Sequence, residues 1–236
     1  MIRKIKKGFR WLQFITLTML AAFVLLASYT NVPTKPTSED RAVFEGLGLG
    51  LGLGLGLGLG FEDQLSLIRK IQVGVFAKAP LGEGIPFYQP REPADLMRHG
   101  SGLCYDRSRT FSKAFSFVGL ESRHVYILYK QDLPFWRAIF TYRQPSHAVT
   151  EVKTSKGWMF VDSNTEWVAI TRHGEPVNAD DVWRRFSEFE NPPPYLKDPW
   201  WAIRGMYSRT GQLYGAGIPF PEFNWPDFLD WFVLQK

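Results

Sequence analysis

The chain has a single cysteine, Cys104, and four histidines, His99, His124, His147 and His173. A cysteine attacks a carbonyl carbon as its thiolate. A free thiol is mostly protonated near neutral pH, so it needs a base and nearby positive charge. Cys104, Ser108, Phe111, Phe115 and Val118 recur at steps of four and three. That spacing puts them on one face of a helix beginning close to Gly102 and ending at Gly119. Cys104 then sits in the first turn, where the helix dipole and unpaired amides favour a negative sulfur. The amide of Cys104 itself can donate to a developing oxyanion. Asp106, Arg107, Arg109 and Lys113 fall mostly off the apolar stripe.

A base and its orienting partner come from a second segment. HAVTEVK and GWMFVD are joined by Thr154-Ser155-Lys156-Gly157, which reads as a β-hairpin. With Ser155 and Lys156 as a two-residue turn, Val149 faces Asp162 and Glu151 faces Phe160. His147 and Asp162 become diagonal neighbours on one face, about 7 Å apart at the backbone. A slip of one residue would separate them. His147 can take the thiol proton, and Asp162 can fix the imidazole tautomer and stabilise its cation. Glu151 lies on the same hairpin face. No second oxyanion donor is assigned beyond two upstream candidates, Tyr88 and Gln89.

These residues carry a family resemblance. GLCYDRSRTFSKAFSFVGLESRHV followed by SHAVTEVKTSKGWMFVDSN resembles the core of the transglutaminase-like (papain-like thiol) superfamily. That pattern has a Gly-x-Cys helix, then a Gly and an Arg leading into a strand. It continues with His-Ala, an acidic-Val strand, and a Trp strand ending in Asp. Cys104, Gly119, Arg123, His147, Glu151, Trp158 and Asp162 fall on it, and the match covers residues 96–165. Two departures stand out. Val149 replaces a common aromatic after His-Ala, and Ser163-Asn164 follows the Asp where the family often has Pro-Thr. The resemblance implies an α+β fold with a nucleophile helix packed on an antiparallel sheet. It also implies a catalytic triad of Cys104, His147 and Asp162.

The elements that must position these groups are legible to differing degrees. Leu65, Ile68, Ile71 and Val75 have helical spacing in the segment from Phe61, and Pro80 stops it. A Gly- and Pro-rich loop runs to about Pro93. Arg123–Lys130 reads as a strand, Ala138–Tyr142 and Trp167–Ile170 as further candidate strands, and Asn178–Phe189 as a helix. The remainder is rich in Pro and aromatics. Within it, Pro226–Gln235 reads as an amphipathic helix packed on the domain, or else lying on a bilayer.

Hydrophobic residues make up 45% of the 236 residues and charged residues 22%, an ordinary globular mixture. The net charge of +5 is supplied by Arg3, Lys4, Lys6, Lys7 and Arg10, so it argues for a targeting segment and against a nucleic-acid surface. Trp11–Tyr29 has no charge and is long enough for a bilayer. It is expected to be a transmembrane anchor, with a cleaved signal peptide as the rival, although no clean A-x-A site follows. Flanking charge would leave the N-terminus in the cytoplasm. The implied location is a bacterial inner membrane, single-pass, with a periplasmic domain.

The expected organisation is a basic N-terminus at 1–10, an anchor at 11–29 and a linker at 30–60. The linker contains the Leu-Gly repeat Gly46–Gly60, read as a flexible spacer. The enzyme domain follows at 61–170 and an extension packed on it at 171–236. No His pair has zinc spacing, so no metal or cofactor is expected. His99 is read as a loop residue able to line the cleft, and His99, His124 and His173 as solvated surface residues.

Two functions compete. One is acyl transfer on amide bonds of a peptide, protein or other envelope substrate. Bacterial relatives of this architecture are often peptidases or amide hydrolases, so the resemblance favours hydrolysis over cross-linking. The other is a non-catalytic, membrane-anchored binding module of the cell envelope with the same fold, recognising its partner through the aromatic C-terminal region. The sequence leaves the oligomeric state open.

Overall fold

The computed structural model describes residues 2–50, 56, 58–86, 89–141, 144–207 and 222–234, with the backbone alone at 2–10, 12 and 29. The elements in chain order are α1 (Ile2–Thr30), α2 (Ser38–Gly46), α3 (Phe61–Lys78), α4 (Pro93–His99), α5 (Cys104–Phe117), β1 (Ser122–Tyr129), α6 (Phe135–Ile139), β2 (Ser146–Thr154), β3 (Gly157–Val161), β4 (Trp200–Arg204), β5 (Met206–Tyr207), β6 (Glu222–Phe223) and α7 (Trp225–Leu234). Strands β3-β2-β1-β4 form one antiparallel sheet in that order. The architecture is α+β, with α5 packed across β1 and β2.

The hairpin has the register expected from its turn: Glu151 pairs with Phe160 and Thr150 with Val161. Gly157 closes the turn at φ 124°, a conformation that L side chains rarely adopt. Alternation along the strands divides two cores. Val152, Met159 and Val161 face α3 and α5, where they meet Ile68, Ile71, Phe111 and Phe115. Val149 and Phe160 face the other way, against Ala169, Val177, Phe189 and Trp200. Two residues past the end of α5, Gly119 takes a left-handed φ of 84°.

α5 is buried on every side, not only along its apolar stripe. Asp106, Arg107, Arg109 and Lys113 are all buried. Each is held by another part of the chain. Arg91 pairs with Asp106 at 2.7 Å, and Lys113 with Asp40 of α2 at 3.0 Å. Glu92 accepts from both Arg109 and Lys113. Charges of this kind are rarely buried without partners.

Several expectations are corrected. Among the described residues no helix is long and apolar enough to cross a membrane. The transmembrane anchor, and the single-pass inner-membrane location built on it, are therefore not supported. Polar Gln13, Thr16, Thr18 and Ser28 interrupt the uncharged run. Its last turns are occupied by protein: Phe23 stacks edge-on with Trp225, whose Nε1 donates to Ala27 O at 3.0 Å.

Residues 38–46, expected within a linker, form α2. Thr37 and Asp40 close a reciprocal cap, and Phe44 is fully buried. The Leu-Gly repeat lies partly outside the described residues. Within them Leu49 is buried, and Gly56 N–H donates to Val118 O at 2.7 Å.

The expected strand at Ala138–Tyr142 is not found over 138–141, because Ala138 belongs to α6 and packs with Phe135 and Trp231, and Tyr142 lies outside the described residues. Trp167–Ile170 makes isolated bridges at Val168 and Ile170 in place of a continuous ladder. Asn178–Phe189 forms turns and a short 3-10 segment, Phe186–Glu188. Its backbone is already engaged, with Ala179 N–H on Glu151 Oε1 at 2.7 Å and Ala179 O on Trp200 Nε1 at 2.8 Å. A helix through Ala179 would have to give up both. The Pro- and aromatic-rich remainder contributes β4, which extends the sheet beside β1. α7 packs on β4 through Trp231.

Glu151 is a structural centre of the sheet. It is fully buried and accepts from Arg123 Nε at 2.6 Å and from Arg204 Nε at 3.0 Å. Burial alone would raise its pKa, but Arg204 and Arg123 hold it below the ordinary carboxylate range. Glu151→Ala leaves two guanidinium groups with reduced compensation. It is expected to cost about 3 kcal/mol in urea unfolding, with a smaller loss for Arg123→Ala because Arg123 is partly solvated.

Candidate active site

Cys104 is the first residue of α5 and is partly exposed. The helix start is shaped by Gly102 and Asp106. A Cβ at residue 102 would lie 2.6 Å from the side chain of the fully buried Leu96, so any larger residue here requires Leu96 to shift. Asp106 Oδ2 accepts from Leu103 N–H at 3.1 Å, and its Oδ1 from Arg91 at 2.7 Å. A buried carboxylate thus ties down the turn that presents the thiol.

His147 is the second residue of β2, and Asp162 lies one residue beyond β3. Asp162 Oδ1 sits 2.7 Å from His147 Nε2. Cys104 stands close enough to this imidazole for the two groups to be electrostatically coupled. The three side chains singled out in the sequence therefore converge, although Cys104 comes from a helix and the other two from a hairpin.

The electrostatics of the three groups are coupled. Burial pushes the Cys104 thiol up. The His147 hydrogen bond and charge, the Ala148 N–H and the charge of Arg107 more than offset this, so the thiol lies below its ordinary range. Burial lowers the His147 imidazole, but Asp162 and Cys104 outweigh it and the pKa is raised to about 10. Asp162 is held low against its own burial by His147, Tyr195 and Thr165. These shifts all favour a thiolate beside an imidazolium, braced by a carboxylate.

Asp162 is held by residues that the sequence did not single out. Its Oδ2 accepts from Thr165 N–H at 2.8 Å, Thr165 Oγ1 at 2.7 Å and the Tyr195 hydroxyl at 2.5 Å. The Tyr195 ring also stands edge-on to His147. Gln72 Nε2 donates to the carbonyls of Asp162, Thr165 and Trp167 at 2.8, 2.9 and 3.1 Å, fixing the loop after β3. A signal for Gln72 was present, since it falls on the apolar stripe of α3 between Ile68 and Val75. A buried amide there must find partners. Tyr195 lies in PPPY, and no local pattern marks it. The hydroxyl of Ser163 donates to Ala148 O.

A cleft of about 510 Å³ opens beside His147, its lining including Tyr129, Lys130, Ser146, Asn164 and Tyr195. His99 and His173 are exposed. His124, read as a surface residue, is instead fully buried. Its Nδ1 lies 2.8 Å from Ser108 Oγ and its ring stacks on Tyr207 at 3.8 Å. Burial, with Arg109 nearby, lowers its pKa to about 3 and keeps it neutral. Gln89 is exposed and spends its N–H on Pro86 O at 3.3 Å, while Tyr88 lies outside the described residues. Among the described residues no group of three or more His, Cys, Asp or Glu side chains can hold a metal ion.

Asp162→Asn removes the charge that sustains the imidazolium while leaving an oxygen for the hydrogen bond. The His147 pKa is expected to fall from about 10 toward the ordinary histidine range. A histidine-selective NMR titration reads this directly.

Residues 60–163 match the family model described as Transglutaminase-like superfamily. A search of curated proteins finds no match to the chain. The matched stretch begins at the residue before α3 and ends just past Asp162, enclosing Cys104, His147 and Asp162. Over residues 60–163 the chain is therefore similar to the transglutaminase-like superfamily, and this stretch holds all three of Cys104, His147 and Asp162.

Proposed function

We propose that the domain is a cysteine acyl-transfer enzyme acting on amide bonds of a protein or peptide, with hydrolysis as its normal outcome. The observation that carries this reading is the grouping of Cys104 with the hydrogen-bonded pair His147–Asp162, with His147 lining a cleft.

In the proposed cycle the Cys104 sulfur attacks the amide carbonyl carbon, and the carbonyl π electrons move onto oxygen. The oxyanion forms near the start of α5, where the Cys104 amide and the helix dipole favour it. Collapse reforms the carbonyl and breaks the C–N bond. His147 gives its proton to the leaving amine, which departs neutral, and a thioester remains. A water then gives a proton to His147 and attacks the thioester, releasing the carboxylic acid and the Cys104 thiolate. An amine in place of that water would give transamidation by the same steps. Asp162 keeps the ring oriented and its cation stabilised throughout.

Cys104→Ala is expected to abolish labelling by a thiol-reactive acyl-type probe and any amide cleavage. Equal labelling of the wild type and this variant, or no labelling of a folded wild type, would reject the enzyme reading in favour of a non-catalytic binding module.

The pH profile has a defined sign. Activity needs the thiolate and the imidazolium together. The rate should rise with pH through a limb below the ordinary thiol range. It should fall as His147 loses its proton near pH 10. A profile in which the rate is still rising through pH 9–10 would show that the resting pair is neutral.

A further inference from the structure

One cation stands beside this site without a carboxylate of its own. Arg107 is one turn along α5 from Cys104, and its side chain is 1% exposed. Its guanidinium donates to Asn164 Oδ1 at 2.7 Å and lies 5.0 Å from the centroid of the Phe76 ring. Nε has no hydrogen-bond partner. Among the described residues no carboxylate forms an ion pair with it, whereas Arg91, Arg109, Lys113, Arg123 and Arg204 each have one. A guanidinium does not shed its proton to escape burial, and an uncompensated buried charge costs several kcal/mol. Its opposite charge must come from the groups it faces. Cys104 is foremost among them, followed by Asp162 and Asp106.

We propose that Arg107 is a positioning residue for the nucleophile: its buried charge is the counter-charge that keeps Cys104 ionised. The inference rests on Cys104 being the reactive thiol. With Cys104 and Asp162 negative and His147 and Arg107 positive, the buried cluster is neutral. Without Arg107 it would carry a net negative charge, and the thiolate would be the group to give way. The Arg107 charge lowers the thiol in the same direction as His147 does.

The anchor of this cation coincides with a departure from the family pattern. Ser163-Asn164 stands where Pro-Thr often follows the Asp, and a threonine hydroxyl is shorter than the asparagine amide that reaches Arg107 here. The pair Arg107–Asn164 joins α5 to the loop after β3 across 57 residues.

The test is the pH dependence of Cys104 alkylation by iodoacetamide in wild type, Arg107→Met, Arg107→Lys and Asn164→Asp, with Cys104→Ala as blank. Arg107→Met removes the buried charge but keeps apolar bulk, so folding is expected to hold or improve. Its alkylation midpoint should move upward, slowing the reaction by about tenfold or more on the acid limb. Arg107→Lys should restore most of the wild-type profile. Asn164→Asp supplies a competing carboxylate and should also move the midpoint upward, which covers the case where Arg107→Met does not fold. An unmoved midpoint in a folded Arg107→Met, or in Asn164→Asp if that variant alone folds, overturns the proposal. Loss of stability in Arg107→Met with an unmoved midpoint would assign Arg107 a packing role only. Labelling of Cys104→Ala equal to wild type would instead reject Cys104 as the reactive group, a different failure.

Discussion

The site depends on a hairpin register. A two-residue turn at Ser155-Lys156 sets Glu151 opposite Phe160, and this parity puts His147 and Asp162 on one face. Strand side chains alternate, so no partial error is tolerated: one step of slip turns both residues away from each other. The same parity sends Val152, Met159 and Val161 toward α3 and α5 and Val149 and Phe160 toward the opposite core. Burial of apolar groups on both faces therefore enforces the alignment that the chemistry requires.

The thiol arrives from the other direction. α5 crosses β1 and β2, and its first residue reaches the end of the sheet where β2 begins. Ser108 and Thr150 pin this crossing. Ser108 Oγ donates to Val149 O at 2.6 Å, and Thr150 Oγ1 donates to Ser108 O at 3.0 Å. His124 joins them as a buried neutral ring. Nearby, Asp162 is braced by His147, Thr165 and Tyr195.

Much of this was legible in the chain because it is local. Helix spacing in α5, the hairpin turn, and the order Cys, His, Asp are short-range patterns. The paired elements α3, β1, β2 and β3 follow from them. What was not legible is long-range. Tyr195 is 33 residues from Asp162, Asp40 is 73 from Lys113, and β4 is drawn into the sheet from beyond the matched domain. Asn178–Phe189 has helical charge spacing, yet Glu151 and Trp200 claim its backbone. His124 looked like a surface residue because it stands at the start of a strand. Its burial is set by Ser108 and Tyr207, which only the fold brings near. The uncharged run of α1 was read from its composition, and composition does not register that Trp225 occupies its last turns.

The charges along α5 have a consequence for how the domain assembles. Lys113 needs Asp40, Arg109 needs Glu92, Asp106 needs Arg91, and Arg107 needs Asn164. These partners are supplied by three separate stretches of chain, around Asp40, Arg91-Glu92 and Asn164. A partly assembled intermediate would hold the helix in an apolar setting with some of these ions stranded, and such states are penalised. The helix thus acts as a checkpoint: it can be enclosed only when every stretch has arrived. Cys104, the first residue of that helix, is then set in place together with the core around it.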